Sequence, residues 1–262
     1  MDTHYERTFY EDVEGGVFRS AEEVLPIVLD YVRPQSVVDV GCGTGVWLAT
    51  FARLGVTDIQ GVEGPWLDPG MLHIPHDRFV AADLKQPLTF DRTFGMAVSL
   101  EVAEHLPPES AETFVESLTA LAPVVLFSAA VPYQGGYQHL NERWPTYWAS
   151  LFAKRGFIAI DCLRSRIWHN PNVEWWYAQN MFFLVKASAV QQWPKLADAA
   201  ARGPAQPLDL IHPRLFLPST TRARSPKEMF MRTLGSVRDK WLVRARREAA
   251  HRSAASARWP AR

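Results

Sequence analysis

Asp39, Gly41, Gly43 and Gly45 fall within VVDVGCGTG, residues 37–45, and their types and spacing describe a turn built to hold a ligand. An apolar run, then glycines, then the helical spacing of VWLATFARLG reads as a strand feeding a helix whose free N–H groups face a bound molecule. The dinucleotide pattern fails because Val46 stands where the third glycine is needed, and no lysine is present to complete a phosphate loop. A carboxylate two residues before the first glycine repels a pyrophosphate and attracts a cation. A second cluster follows the apolar run FGMAVSL: Glu101, Glu104 and His105, with His139 further on in GGYQHLNERWP. A helical turn starting at Glu101 puts positions 101, 104 and 105 on one face. Two acids and an imidazole, opposed by a loop histidine, are costly to crowd together unless something positive sits between them.

S-adenosylmethionine (SAM) carries an ammonium and a sulfonium, and so suits a turn with an acid at its mouth. The stretch DVGCGTG resembles the first motif of class I SAM-dependent methyltransferases, and the likeness extends over residues 20–187. It implies that Asp39, Gly41, Cys42, Gly43 and Gly45 line the cofactor. Glu63, which closes DIQGVEG 18 residues past Gly45, would accept the ribose hydroxyls. Asp83 and Leu84 in AADLKQPL would lie against the adenine, with a turn cap as the other reading of Asp83.

The pattern E-x-x-E-H with a later histidine resembles the metal site of small-RNA 2′-O-methyltransferases. That likeness implies that Glu101, Glu104, His105 and His139 hold Mg2+ or Mn2+, with Glu101, Glu104 and His139 as the catalytic groups. A divalent cation lowers the pKa of a coordinated hydroxyl, so that its oxygen can attack the methyl group. Without metal, His139 could itself act as general base. The GGYQHLNERWP loop and the aromatic region after it are similar to actinobacterial enzymes that methylate saccharides, mannoside 1-O-methyltransferases among them. This implies a sugar as the acceptor.

These residues need elements to position them. RSAEEVLPIVLDYVRP places Ser20 and Glu23 in capping-box register, which predicts a helix over 21–33 stopped by Pro34. Strands are expected near 36–40, 59–63, 78–82, 94–100 and 123–130, with helices near 45–54 and 109–121. FIAIDCLR and NMFFLVKA complete the set as an antiparallel pair. The fold class expected is α/β: a three-layer αβα Rossmann-like sandwich with a seven-stranded, mostly parallel sheet and a C-terminal helical extension. The strand order 3-2-1-4-5-7-6 is implied by the methyltransferase resemblance. WPTYWASLFAKRGF has helical spacing, and RIWHNPNVEWWYAQN offers His169, Asn170 and several rings as a crevice wall suited to sugars and bases alike.

The 262 residues, 47% hydrophobic, can bury a full core. Cys42 and Cys162 give neither zinc spacing nor a disulfide framework, and no apolar run approaches a membrane span. A cytoplasmic setting is expected. The net charge of zero hides a split: residues 1–187 carry 13 Lys+Arg against 23 Asp+Glu, and residues 188–262 carry 15 against 5. This suggests a catalytic domain over 1–187 and a basic extension over 188–262, with a proline-rich approach and an amphipathic helix near 226–250 bearing Phe230, Leu234, Val237 and Trp241. The extension would meet an acidic surface, in the same chain or across a homodimer. The expected activity is O-methylation of a small polar acceptor. RNA 2′-O-methylation and a non-enzymatic SAM-binding regulator are the alternatives. The acidic body opposes a DNA or RNA partner, since nucleic acid needs a basic track near the site.

Overall fold

Alternate residues of the short strand SVVDV leave it in opposite directions, and both directions are apolar. Val37 joins one buried cluster while Val38 and Val40 join another, so this strand must be covered on both faces. The same division repeats in VVLFS, where Val124 and Leu126 face one cluster and Val125 and Phe127 the other. The structure, a computed structural model, describes residues 3–203 and 206–216, with side chains from Glu14 onward.

The sheet runs through β1 (Ser36–Val40), β2 (Asp58–Glu63), β3 (Phe79–Ala81), β4 (Met96–Leu100), β5 (Val124–Ser128), β6 (Phe157–Ile160) and β7 (Phe182–Lys186). Its order is β3-β2-β1-β4-β5-β7-β6, parallel except that β7 is antiparallel to both β5 and β6. Helices α1 (Thr3–Tyr31) and α2 (Val46–Arg53) contribute to one covering layer, and α3 (Ala111–Leu121) and α4 (Pro145–Ala153) to the other. Short helices α5 (Arg164–Ile167) and α6 (Trp175–Asn180) occupy the crossover from β6 to β7, and α7 (Pro194–Arg202) follows β7. The expected three-layer α/β sandwich and strand order are those observed. Among the described residues, no helix is long and apolar enough to cross a membrane.

Two expectations are corrected. The first helix does not begin at a Ser20 cap: α1 starts at Thr3, and the Ser20 hydroxyl donates to the Gly16 carbonyl at 2.8 Å inside the helix. Glu23, the expected partner in the box, instead accepts from the side chains of Asn170 and Asn172 at 2.8 and 3.0 Å. A serine four residues after an available carbonyl can back-bond within a helix as readily as it caps one, so the register alone misled.

The second correction concerns the expected domain edge at residue 187, because one packing unit continues to Leu215. Leu196 and Ala199 of α7 enter the core beside α1. Beyond α7, the chain is held by Arg164, which is fully buried against Asp161 and donates to the carbonyls of Pro207, Leu208 and Gln179. The helix expected near 226–250 lies outside the described residues.

Candidate active site

The first half of the site is a backbone construction. After β1 the chain turns through Gly41, Gly43 and Gly45 at φ of 85°, 52° and 82°, a left-handed region open mainly to glycine. A Cβ at Gly41 would lie 2.4 Å from Val102 Cγ2, so the close approach of the β1 and β4 ends also requires glycine there. The N–H groups of Gly41 and Cys42 donate to the Val62 carbonyl at 2.8 and 3.1 Å, tying the turn to β2. Glu63 completes the tie, its two carboxylate oxygens accepting from the N–H groups of Gly43 at 3.0 Å and Gly64 at 2.7 Å.

Glu63 and Asp39 are both buried, and no cation lies against either among the described residues. Burial raises the pKa of both, and the neighbouring Glu63 charge raises Asp39 further. The cost is relieved when a positive ligand enters. A carboxylate oxygen has lone pairs for more than one donor, so Glu63 can hold the turn and still accept ribose hydroxyls. The residues present therefore fit SAM.

Cys42 is buried in the turn, and burial pushes its thiol pKa up. Leu84 is buried, whereas Asp83 accepts from the Lys85 N–H at 3.0 Å and pairs with the Lys85 ammonium at 3.4 Å, so it caps its own turn. Helix α1 also reaches this site, which no motif signals. Glu14 accepts from the Thr44 hydroxyl at 3.0 Å and contacts His73, so α1 lies beside the glycine turn.

The second half is made from side chains. Glu101 follows β4 with φ at 55°, and its N–H is held by the Ser128 carbonyl at 3.0 Å. The expected helical turn does not start there: a single 3₁₀ turn, Ala103–His105, begins two residues later, so the strand end and not a helix face brings these groups together. The Glu101 carboxylate accepts from Gln134 at 2.9 Å and from Asn180 at 3.1 and 3.3 Å. Its pKa is raised by burial, with the amide hydrogen bonds opposing that rise.

Glu104 is 1% exposed and its Oε2 has no hydrogen-bond partner among the described residues. Burial and the Glu101 charge push its pKa well up. The backbone carbonyl of Glu104 accepts from Leu140 and Asn141 at 2.7 and 2.9 Å, which draws the loop over residues 131–144 against it. His139 thereby meets His105, with ring centroids 4.9 Å apart. One ligand atom from each of Glu104, His105 and His139 lies within 4.8 Å of the others. Burial lowers the pKa of His105 to about 4, which keeps its imidazole neutral, the form that ligates metal. An orphaned buried carboxylate oxygen beside two imidazoles is a donor set that fits a divalent cation. Glu101, expected as a fourth ligand, stands outside this triplet because its oxygens are taken by amides.

The crevice wall expected from RIWHNPNVEWWYAQN is corrected in part. Asn170 and Asn172 are spent on Glu23 of α1, and the Trp168 carbonyl accepts from His212 at 2.9 Å. From the end of that segment, the Gln179 and Asn180 amides both donate to Gln134 at the site. Their amides, with Gln134, carry no signal at sequence level because they are brought together only by folding.

A family model described as a methyltransferase domain matches residues 16–182, more than half of the chain. The chain belongs to this family. Among curated proteins, this methyltransferase-domain chain is similar to the ubiquinone biosynthesis O-methyltransferase of Neisseria meningitidis serogroup C, 27% identical over a 146-residue match that covers 48% of this chain. The match spans 60% of that relative's length. Among solved structures, DesVI of Streptomyces venezuelae superposes with a TM-score of 0.51 at 15% identity, covering 71% of this chain and 99% of that one. CalS10, an amino pentose methyltransferase from Micromonospora echinaspora, gives a TM-score of 0.49 at 16% identity, covering 68% and 96%. At such identities the DesVI likeness shows the fold.

Proposed function

We propose that this chain transfers a methyl group from SAM to a hydroxyl of a small polar acceptor, a saccharide first among them. Glu104, His105 and His139 would hold Mg2+ or Mn2+, with Glu101 beside them. The observation that carries this reading is Glu104, buried with its Oε2 left without a donor among the described residues and offering a carboxylate oxygen within 4.8 Å of a ring nitrogen from each of His105 and His139. A bound divalent cation would supply the positive charge that stabilises an acceptor alkoxide.

The chain's own residues do the rest. Asp39 and Glu63 form an acidic seat for the donor's positive charge and ribose, and Gly41 and Gly43 keep side chains out of its way. Amides of Gln134 and Asn180 hold Glu101 in one orientation at the edge of the acceptor space. Without a bound cation, the free nitrogen of His139 would instead take the hydroxyl proton.

A saccharide is favoured by the loop around His139, where Tyr133 is 94% exposed and Trp144 36% exposed, with the Gln138 amide between them in sequence. Rings offering a flat face together with amides suit a polyol. The relative named for O-methylation agrees with hydroxyl chemistry. RNA is disfavoured by the excess of acids over residues 1–187, 23 against 13 Lys+Arg.

Incubation with methyl-labelled SAM and separate pools of oligosaccharides, small phenols and RNA tests the acceptor class. Label is expected in the oligosaccharide pool. Label confined to RNA would replace the saccharide reading with 2′-O-methylation, and label in none of the pools with SAM bound would favour a regulator.

A further inference from the structure

Glu142 carries no role in the chemistry above, yet its carboxylate is among the most heavily used groups of the acceptor loop. Its Oε2 accepts from the Tyr133 N–H at 2.8 Å, and its Oε1 accepts from the Gly135 N–H at 2.8 Å and meets His139 Nδ1 at 2.9 Å. Three donors spread over seven residues therefore converge on one side chain. The loop needs such a hub. Tyr133 and Gln138 are held at φ of 68° and 54°, which L side chains rarely adopt, and Gly135 lies at 70°. Gly136 is required for a different reason, because a Cβ there would fall 2.3 Å from His139 Nε2.

A carboxylate against one ring nitrogen fixes the tautomer, since only a protonated nitrogen can donate to it. With Nδ1 protonated and facing Glu142, the lone pair of His139 is confined to Nε2. That nitrogen is then the one available to the Glu104 and His105 cluster, whether it ligates a cation or accepts the acceptor's proton.

We propose that Glu142 is the positioning residue of this site: its carboxylate folds the loop over 131–144 and holds His139 as the Nδ1–H tautomer with Nε2 free for chemistry. The metal part of this proposal rests on the proposed function, and the tautomer part does not. A carboxylate behind a ligating histidine orients the ring and raises its basicity, and loss of such a partner costs about 10–100-fold in metal affinity.

The test has two arms on the full chain. Nitrogen-15 NMR of the His139 imidazole, without metal, is expected to show one dominant tautomer in the wild type and a mixture in E142A. E142Q, which keeps an oxygen acceptor for Nδ1, is expected to restore the wild-type pattern. E142D, whose shorter side chain cannot reach all three donors, is expected to fall between and serves if E142A does not fold. In the second arm, Mn2+ titration followed by electron paramagnetic resonance is expected to show about 10–100-fold weaker binding in E142A and near wild-type binding in E142Q. Wild-type imidazole shifts in both E142A and E142D would overturn the proposal. Absence of Mn2+ binding to the wild type would overturn the metal reading, and the tautomer arm alone would then decide the role of Glu142.

Discussion

At the ends of β1 and β2, Glu63 is buried with both oxygens hydrogen-bonded by backbone N–H groups, whereas beyond β4 Glu104 is buried more deeply and one of its oxygens has no donor among the described residues. The first acid is part of the scaffold as well as the site. The second is costly to the fold on its own and becomes useful when a positive partner arrives. The half proposed for the cofactor is thus completed by main chain, and the half proposed for the acceptor is left open by its side chains. Stability and function coincide in one half and oppose each other in the other.

The largest expected effect probes how the acceptor half is braced. Arg164 is fully buried, pairs with buried Asp161 and donates to carbonyls on α6 and on the segment after α7. Arg164→Met leaves the Asp161 carboxylate buried without its partner, and a loss of about 3–5 kcal/mol in urea unfolding is expected. A change well under 1 kcal/mol would mean that the segment over 206–212 is not held by this residue.

A smaller pair of effects tests the contrast itself. Glu63→Gln turns an amide nitrogen toward one of two backbone donors, and the protein should lose about 1–3 kcal/mol of stability together with SAM affinity. Glu104→Gln removes a buried carboxylate with one oxygen left without a donor among the described residues, and the metal-free protein should gain about 0.5–2 kcal/mol while methyl transfer is lost. Urea unfolding of both variants, with a transfer assay alongside, reads the two signs. Equal destabilisation by both substitutions would erase the distinction between the halves.

The same contrast explains what the sequence could show. The glycine turn and Glu63 were legible because the cofactor half is local: a strand end, a turn and the next strand end, all within residues 36–64. Glu104, His105 and His139 were marked by residue type and by a motif resemblance, although the strand end gathers them and a helix face does not. Glu14, Gln134, Gln179 and Asn180 left no pattern. Glu142 does its work through loop N–H groups, and Asn180 meets Glu101 only because β5 and β7 lie side by side. Ser20 showed the converse failure, a motif whose hydroxyl found a nearer carbonyl.

The central claim is that Glu104, His105 and His139 act through a divalent cation on an acceptor hydroxyl. Methyl transfer from labelled SAM, measured after exhaustive treatment with a chelator and again after adding back magnesium or manganese, tests it most directly. The account predicts that chelation abolishes transfer and that either ion restores it in the wild type while neither restores it in Glu104→Gln. Full transfer in the presence of chelator would contradict the claim and leave His139 as a metal-free general base.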